Sequence, residues 1–105
     1  MPIEAKARPE VSQDMQNLAS DDLRREALQY MVALRTKPKL GKKLDKHVAT
    51  GDLSDCWKVF FDNANHRIVY RLLPDEKKPT LIDIIVVGPR HNMDVYKEAV
   101  RRLGR

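Results

Sequence analysis

Cysteine is almost absent from this chain: Cys56 stands alone in 105 residues, which excludes an internal disulfide and a thiolate cluster for a metal. It lies in an apolar, strand-like context where a free thiol behaves as a small hydrophobe, and a reducing cytoplasm is the expected setting. Long apolar runs are missing as well. Met1 to Arg8 lacks the apolar stretch of a signal peptide, and the most apolar segment, Leu81 to Val87, is short and interrupted by Asp83, so no membrane is expected as a partner. The four glycines form no phosphate-cradling loop, and His47, His66 and His91 show no metal-ligand spacing. No Ser/His/Asp arrangement, repeat, low-complexity tract or Gly/Ser linker stands out, and neither a cofactor nor a metal is expected.

What is present is positive charge. Twenty Lys and Arg against fifteen Asp and Glu give a net charge of +5, which favours an anionic partner, either nucleic acid or an acidic protein. The hydrophobic fraction, 42%, can fill one small core, so residues 1–105 are expected to form a single domain.

Residues Ile3 to Arg8 alternate apolar and charged, as in a short strand, and Pro9 suits the first position of a helix carrying Val11, Met15 and Leu18. Ser20 as N-cap, with Asp21 and Asp22 in the first turn, predicts a second helix with the apolar stripe Leu23, Ala27, Tyr30 and Leu34, stopped by Pro38. A basic connection then runs to about Gly51. From Trp57 the period falls to two: Trp57 to Phe61 and Arg67 to Leu73 flank Asp62-Asn63-Ala64-Asn65 as an antiparallel hairpin. Thr80 to Val87 reads as a central strand ended by Gly88-Pro89, and Val95, Ala99 and Leu103 mark a last short helix. The predicted class is α+β in the order β-α-α-β-β-β-α, a helical hairpin on a small antiparallel sheet mixed by its first strand, with the helices on one face.

Lys58, Arg67, Arg90 and Tyr96 all fall on these C-terminal elements or just past them. Cations on a rigid sheet stabilise charge growing on phosphate oxygens, and an aromatic ring can stack on a base, so RNA is the first ligand these residues suggest. Read alone, they also fit solvent-facing charges that discourage edge pairing. Trp57 and Tyr70 read as sheet-packing aromatics.

The segments Asp55-Cys56-Trp57-Lys58, His66-Arg67-Ile68-Val69-Tyr70-Arg71, Val87-Gly88-Pro89-Arg90 and Val95-Tyr96-Lys97-Glu98-Ala99-Val100, with the element order, resemble the RelE/ParE superfamily of bacterial toxins. Within it they resemble the RelE-like, ribosome-dependent messenger-RNA endonucleases. The resemblance implies Lys58 at the scissile phosphate, Arg67 stabilising the transition state, Arg90 protonating the leaving oxygen and Tyr96 stacking on the substrate base. Where these toxins carry a second lysine, a proposed general base, this chain has Phe60. Lys58 with a lowered pKa, Tyr96 through its phenol, and His91 through its imidazole are the candidates for that part.

The implied reaction is attack of a ribose 2′-hydroxyl on the adjacent phosphate in messenger RNA held in the ribosomal A site, and the implied partners are a cognate antitoxin, the ribosome and the message. The basic run Arg35, Lys37, Lys39, Lys42, Lys43 and Lys46 then suits ribosomal RNA backbone. A ParE-like inhibitor of DNA gyrase, and a weakened RelE-like protein that only binds antitoxin or RNA, are the alternatives.

Overall fold

A computed structural model describes residues 2–44, 52–91 and 94–105, so Lys46 and His47 lie outside the described residues. The elements are β1 (Glu4–Ala7), α1 (Pro9–Asn17), α2 (Asp21–Thr36), β2 (Lys42–Lys43), β3 (Cys56–Phe61), β4 (His66–Leu73), β5 (Leu81–Pro89) and α3 (Asp94–Arg102). Pro9 opens α1 with its ring-fixed φ, and Arg8 before it is extended, as a residue preceding proline prefers. Ser20 caps α2 by accepting from the Leu23 N–H at 3.2 Å. Arg24, in the first turns of α2, donates to the carbonyls of Met15, Gln16 and Leu18, so one guanidinium ties the end of α1 to the start of α2.

The five strands form one sheet in the order β1-β5-β4-β3-β2, with β1 parallel to β5 and every other pair antiparallel. The β3–β4 turn holds Asp62, Asn63 and Ala64 at positive φ; two of these residue types tolerate that region. β2 is a strand the sequence did not announce. It exists because Gly41 presses against β3: a Cβ there would lie 2.2 Å from the Lys58 carbonyl oxygen, a contact only glycine avoids. The Gly41 N–H donates to the Tyr70 hydroxyl, which itself donates to the Pro38 carbonyl.

Strand alternation creates two cores. Val59, Phe61, Ile68, Tyr70, Leu72, Ile82, Ile84 and Val87 point toward the hairpin and pack with Val11, Leu18, Ala27 and Leu34. Cys56, Val69, Ile85 and Val86 point the other way, onto Val95, Tyr96, Ala99 and Val100 of α3. The helices therefore do not share one face: α1 and α2 cover one side, and α3 covers part of the other. The physical signal was the unbroken apolar stretch Ile84 to Val87, which suits a strand covered on both faces better than a half-solvated one. A bulge between Val69 and Tyr70 in the β4–β5 register puts both Ile85 and Val86 against α3.

Candidate functional site

The β3–β4 register pairs Phe60 with Arg67 and Lys58 with Val69. Residues directly opposite share a face, and so do residues two apart on one strand, so Lys58, Phe60 and Arg67 stand together on the side of the sheet that carries α3. α3 brings Tyr96 to them. The Arg67 guanidinium carbon lies 4.8 Å from the Phe60 ring centre and 5.2 Å from that of Tyr96, and the Lys58 Nζ lies 5.1 Å and 5.9 Å from the same two rings. Two cations are thus held close to each other by a pair of aromatic faces, each an attractive site for positive charge.

The sequence reading missed one member of this group. β2 pairs Lys42 directly with Lys58, so Lys42 stands beside it on the same face. Burial first, and then the charges of Arg67 and Lys42, hold the Lys58 amine below its ordinary range. In the sequence Lys42 is one of several basic residues in a connecting segment, because a two-residue strand has no period to detect. The rest of that run scatters: Arg35 donates to the Ile3 carbonyl, Lys43 pairs with Glu76, and Lys37 and Lys39 line a cleft with Leu40.

Tyr96 is only 2% exposed, and among the described residues its hydroxyl and the Arg67 Nε meet no partner at full hydrogen-bond geometry, although the Arg67 side chain stands near enough to the hydroxyl to favour the phenolate. Burial pushes the phenol up, against the opposing influence of Arg67 and Arg90. Arg90 is exposed just beyond β5, its N–H donating to the Asn65 carbonyl, and its charge reaches the Tyr96 ring. His91 follows it, also exposed, on the segment that leads to α3. Trp57 and Tyr70, on the opposite face, stack with ring centres 6.5 Å apart and serve packing, as their pattern predicts. Cys56 is fully buried, and desolvation, reinforced by Asp55, pushes its thiol up to about 12, which suits a packing residue rather than a nucleophile.

Polar anchors hold α3, and with it Tyr96, in place. Arg102 is 7% exposed and forms a two-pronged pair with Asp14 of α1 while donating to the Ile85 carbonyl. Asp14 also accepts from the Val87 N–H at 3.0 Å, so one carboxylate joins α1, β5 and α3. Arg8 donates to the Arg102 carbonyl and pairs with Asp83, which also takes Arg71 at 2.8 Å. At the end of the chain Arg105 pairs with Asp55. Among the described residues no helix is long and apolar enough to cross a membrane.

No family model matches the chain. Over 51 residues it is 37% identical to the mRNA interferase toxin RelE of Escherichia coli K12, and it matches the mRNA interferase RelE of Shigella flexneri to the same extent. The match covers 49% of this chain and spans half the length of those curated relatives. Likeness of structure runs further. A doubly substituted free form of the E. coli toxin RelE superposes with a TM-score of 0.73 at 20% identity, over 98% of this chain and 99% of that one. A chain of the toxin-antitoxin complex RelBE2 from Mycobacterium tuberculosis gives 0.67 at 17% identity, over 86% of this chain and 100% of that one. In fold over nearly its whole length, and in sequence over about half of it, this protein is RelE-like.

Proposed function

We propose that the protein is the toxin of a toxin-antitoxin pair, a single RelE-like domain that cuts messenger RNA in the ribosomal A site. The observation that carries this reading is the cluster of Lys58, Arg67 and Lys42 on one sheet face, with Arg90 in electrostatic reach of Tyr96. Such a group suits a phosphodiester, whose negative charge grows as the 2′-oxygen adds to phosphorus.

In this mechanism a base takes the 2′-hydroxyl proton, the O2′–P bond forms, the P–O5′ bond breaks, and an acid returns a proton to the 5′-oxygen. Arg67 and Arg90 clamp the phosphate, and Arg90 takes the leaving oxygen, the part that the resemblance implies for it. Lys58 fits the base better than Tyr96 does, because its surroundings shift it toward the neutral amine whereas burial shifts the phenol away from its basic form. His91, next to Arg90, is the other candidate base, and His91→Gln separates the two: an unchanged rate removes it from the mechanism. Dependence on the ribosome follows from a site short of strong bases, since in-line positioning by the ribosome supplies part of the rate. The antitoxin partner is inferred from the fold's likeness to toxins solved with RelB-type antitoxins.

The test is to add the purified protein to a translating extract and map message ends by primer extension, with naked RNA and an Arg90→Ala, Tyr96→Phe variant as controls. Cuts on translated message only, absent with the variant, are expected. Intact message with normal translation would sink the nuclease reading and leave a protein that binds antitoxin or RNA without cutting, a reading that Phe60 in the place of a lysine favours.

A further inference from the structure

The base-stacking role that the resemblance gives to Tyr96 sits poorly with a ring that is 2% exposed and packed among Val69, Ile85, Val86 and Ala99. Phe60 is placed differently. It is half-buried, and β2 pairs with β3 only at Trp57 and Lys58, so among the described strands none flanks Phe60 on its outer side. Both cations also lie nearer to Phe60 than to Tyr96, Arg67 at 4.8 against 5.2 Å and Lys58 at 5.1 against 5.9 Å. A phosphate drawn to Lys58 and Arg67 therefore lies beside the Phe60 ring, with its attached base within reach of the part of the ring that solvent reaches.

We infer that Phe60 is the surface on which the substrate's base stacks, and so a substrate-binding residue of the site. The inference rests on the reading of that site as one for single-stranded RNA. Cations beside an aromatic ring that solvent still reaches form the usual platform for a single strand: the cations follow the backbone while the ring takes a base face, with little regard to sequence. A lysine at this position adds charge but offers no stacking surface. The replacement thus exchanges a proton acceptor for a grip on the base, while Lys42, from the neighbouring strand, adds charge beside Lys58. Tyr96 becomes the inner wall that supports Arg67 from behind.

The probe is a short RNA oligonucleotide with 2-aminopurine beside the scissile position, a deoxyribose in place of the attacking ribose so that it cannot be cut, and a terminal fluorescein. Polarisation of the fluorescein reports binding at low salt, and quenching of 2-aminopurine at saturation reports stacking. The unchanged protein and Phe60→Tyr are expected to quench. Phe60→Leu, which keeps the apolar bulk, is expected to lose the quench and roughly 5- to 100-fold in affinity, the range for one stacked base. Phe60→Lys serves as a second variant should Phe60→Leu lose its native circular dichroism. Full quenching at saturation by a folded Phe60→Leu or Phe60→Lys overturns the inference, as does failure of the unchanged protein to bind or quench. The translating extract judges the nuclease reading separately: cuts by the unchanged protein alongside undiminished quenching in Phe60→Leu would leave the nuclease standing and remove Phe60 from base recognition.

Discussion

The two faces of the sheet are written by alternate residues of the same strands, yet they differ in kind. On the hairpin side Val59, Phe61, Ile68, Tyr70 and Leu72 make a continuous apolar layer. On the α3 side the apolar layer of Cys56, Val69 and Val86 gives way, on the same strands, to Lys58 and Arg67, charges whose neighbours are each other, Lys42 and two aromatic rings. Like charges brought together cost stability, and the closed face opposite is what allows that cost to be borne. Stability and chemistry are therefore separable by face, residue by residue.

A large effect is expected where the two faces are tied together. Asp14→Ala leaves the Arg102 side chain, 7% exposed, with Glu98 as its remaining carboxylate and takes the acceptor from the Val87 N–H, and should cost about 3 kcal/mol in urea unfolding, the lower end for a broken buried pair. Because a buried pair mainly offsets its own desolvation, the double change Asp14→Leu, Arg102→Met should recover much of that loss. A cost below about 1 kcal/mol for the single change would show that α3 is held by its apolar contacts alone, and that the ion pair is solvated.

Ile68 and Arg67 are adjacent in sequence and on opposite faces, so they split the comparison directly. Ile68→Ala removes a fully buried side chain from the hairpin core and should cost about 2–5 kcal/mol while leaving cleavage per folded molecule unchanged. Arg67→Ala should change stability little, since it relieves repulsion with Lys58, but should slow message cleavage by about 10²- to 10³-fold, the usual loss of one charge-stabilising donor. Parallel urea melts and primer-extension rates check both. If Arg67→Ala instead unfolds the protein and Ile68→Ala spares it, the division by face is wrong.

Much of this was open to a reader of the residues alone, and the failures have causes. Helix starts were legible because capping is local: Ser20 and Pro9 act within one turn. The β3–β4 hairpin was legible because period two spans both strands around a turn of Asp and Asn. The side on which α3 packs was not, since alternation shows that two faces exist and not which helix takes which. β2 carries no period in two residues, and the clue to it was Gly41, whose missing side chain becomes meaningful only once the Lys58 carbonyl is known to lie against it. Lys42 entered the site by the same route. Phe60 was visible as a departure from the resemblance, but its partial exposure and the burial of Tyr96 depend on the register, which one sequence does not fix.

A finer test concerns Lys42 and Lys58. Lys42→Gln removes one of the charges that lower the Lys58 pKa, so the Lys58 amine should titrate at higher pH in the variant, measured by NMR of its ε-methylene. The sign carries to the reaction: with Lys58 as base, a higher pKa leaves less neutral amine at neutral pH, and the rate should fall there and recover as pH is raised. An unmoved midpoint would place Lys42 too far from Lys58 to act on it, despite their register. Gly41→Ala, which forces β2 away from the Lys58 carbonyl, should move the midpoint in the same direction with a greater loss of stability.

The smallest effect belongs to the anchors at the ends of α3, and its sign is the reverse of that at the site. Arg105 holds Asp55 down to about 2, and Arg101 followed by Arg102 does the same for Glu98. Both carboxylates bind protons less readily folded than unfolded, so each stabilises above its ordinary carboxylate range and loses that contribution as pH falls toward about 2. Lys58 shares that slope with pH but not the sign of its contribution at neutral pH: a lowered amine pKa disfavours the charged folded form, so it costs stability there, and the cost fades as pH rises toward 10.5. Arg105→Gln should therefore lower Tm at pH 6 by an amount worth at most about 1 kcal/mol, given an exposed pair. That deficit should shrink between about pH 4 and 2, as Asp55 takes up its proton in both proteins. A deficit that persists unchanged at pH 2 would mean that Arg105 acts through its bond to the Asp52 carbonyl and not through charge, and the contrast in sign between anchor and site would then rest on Glu98 alone.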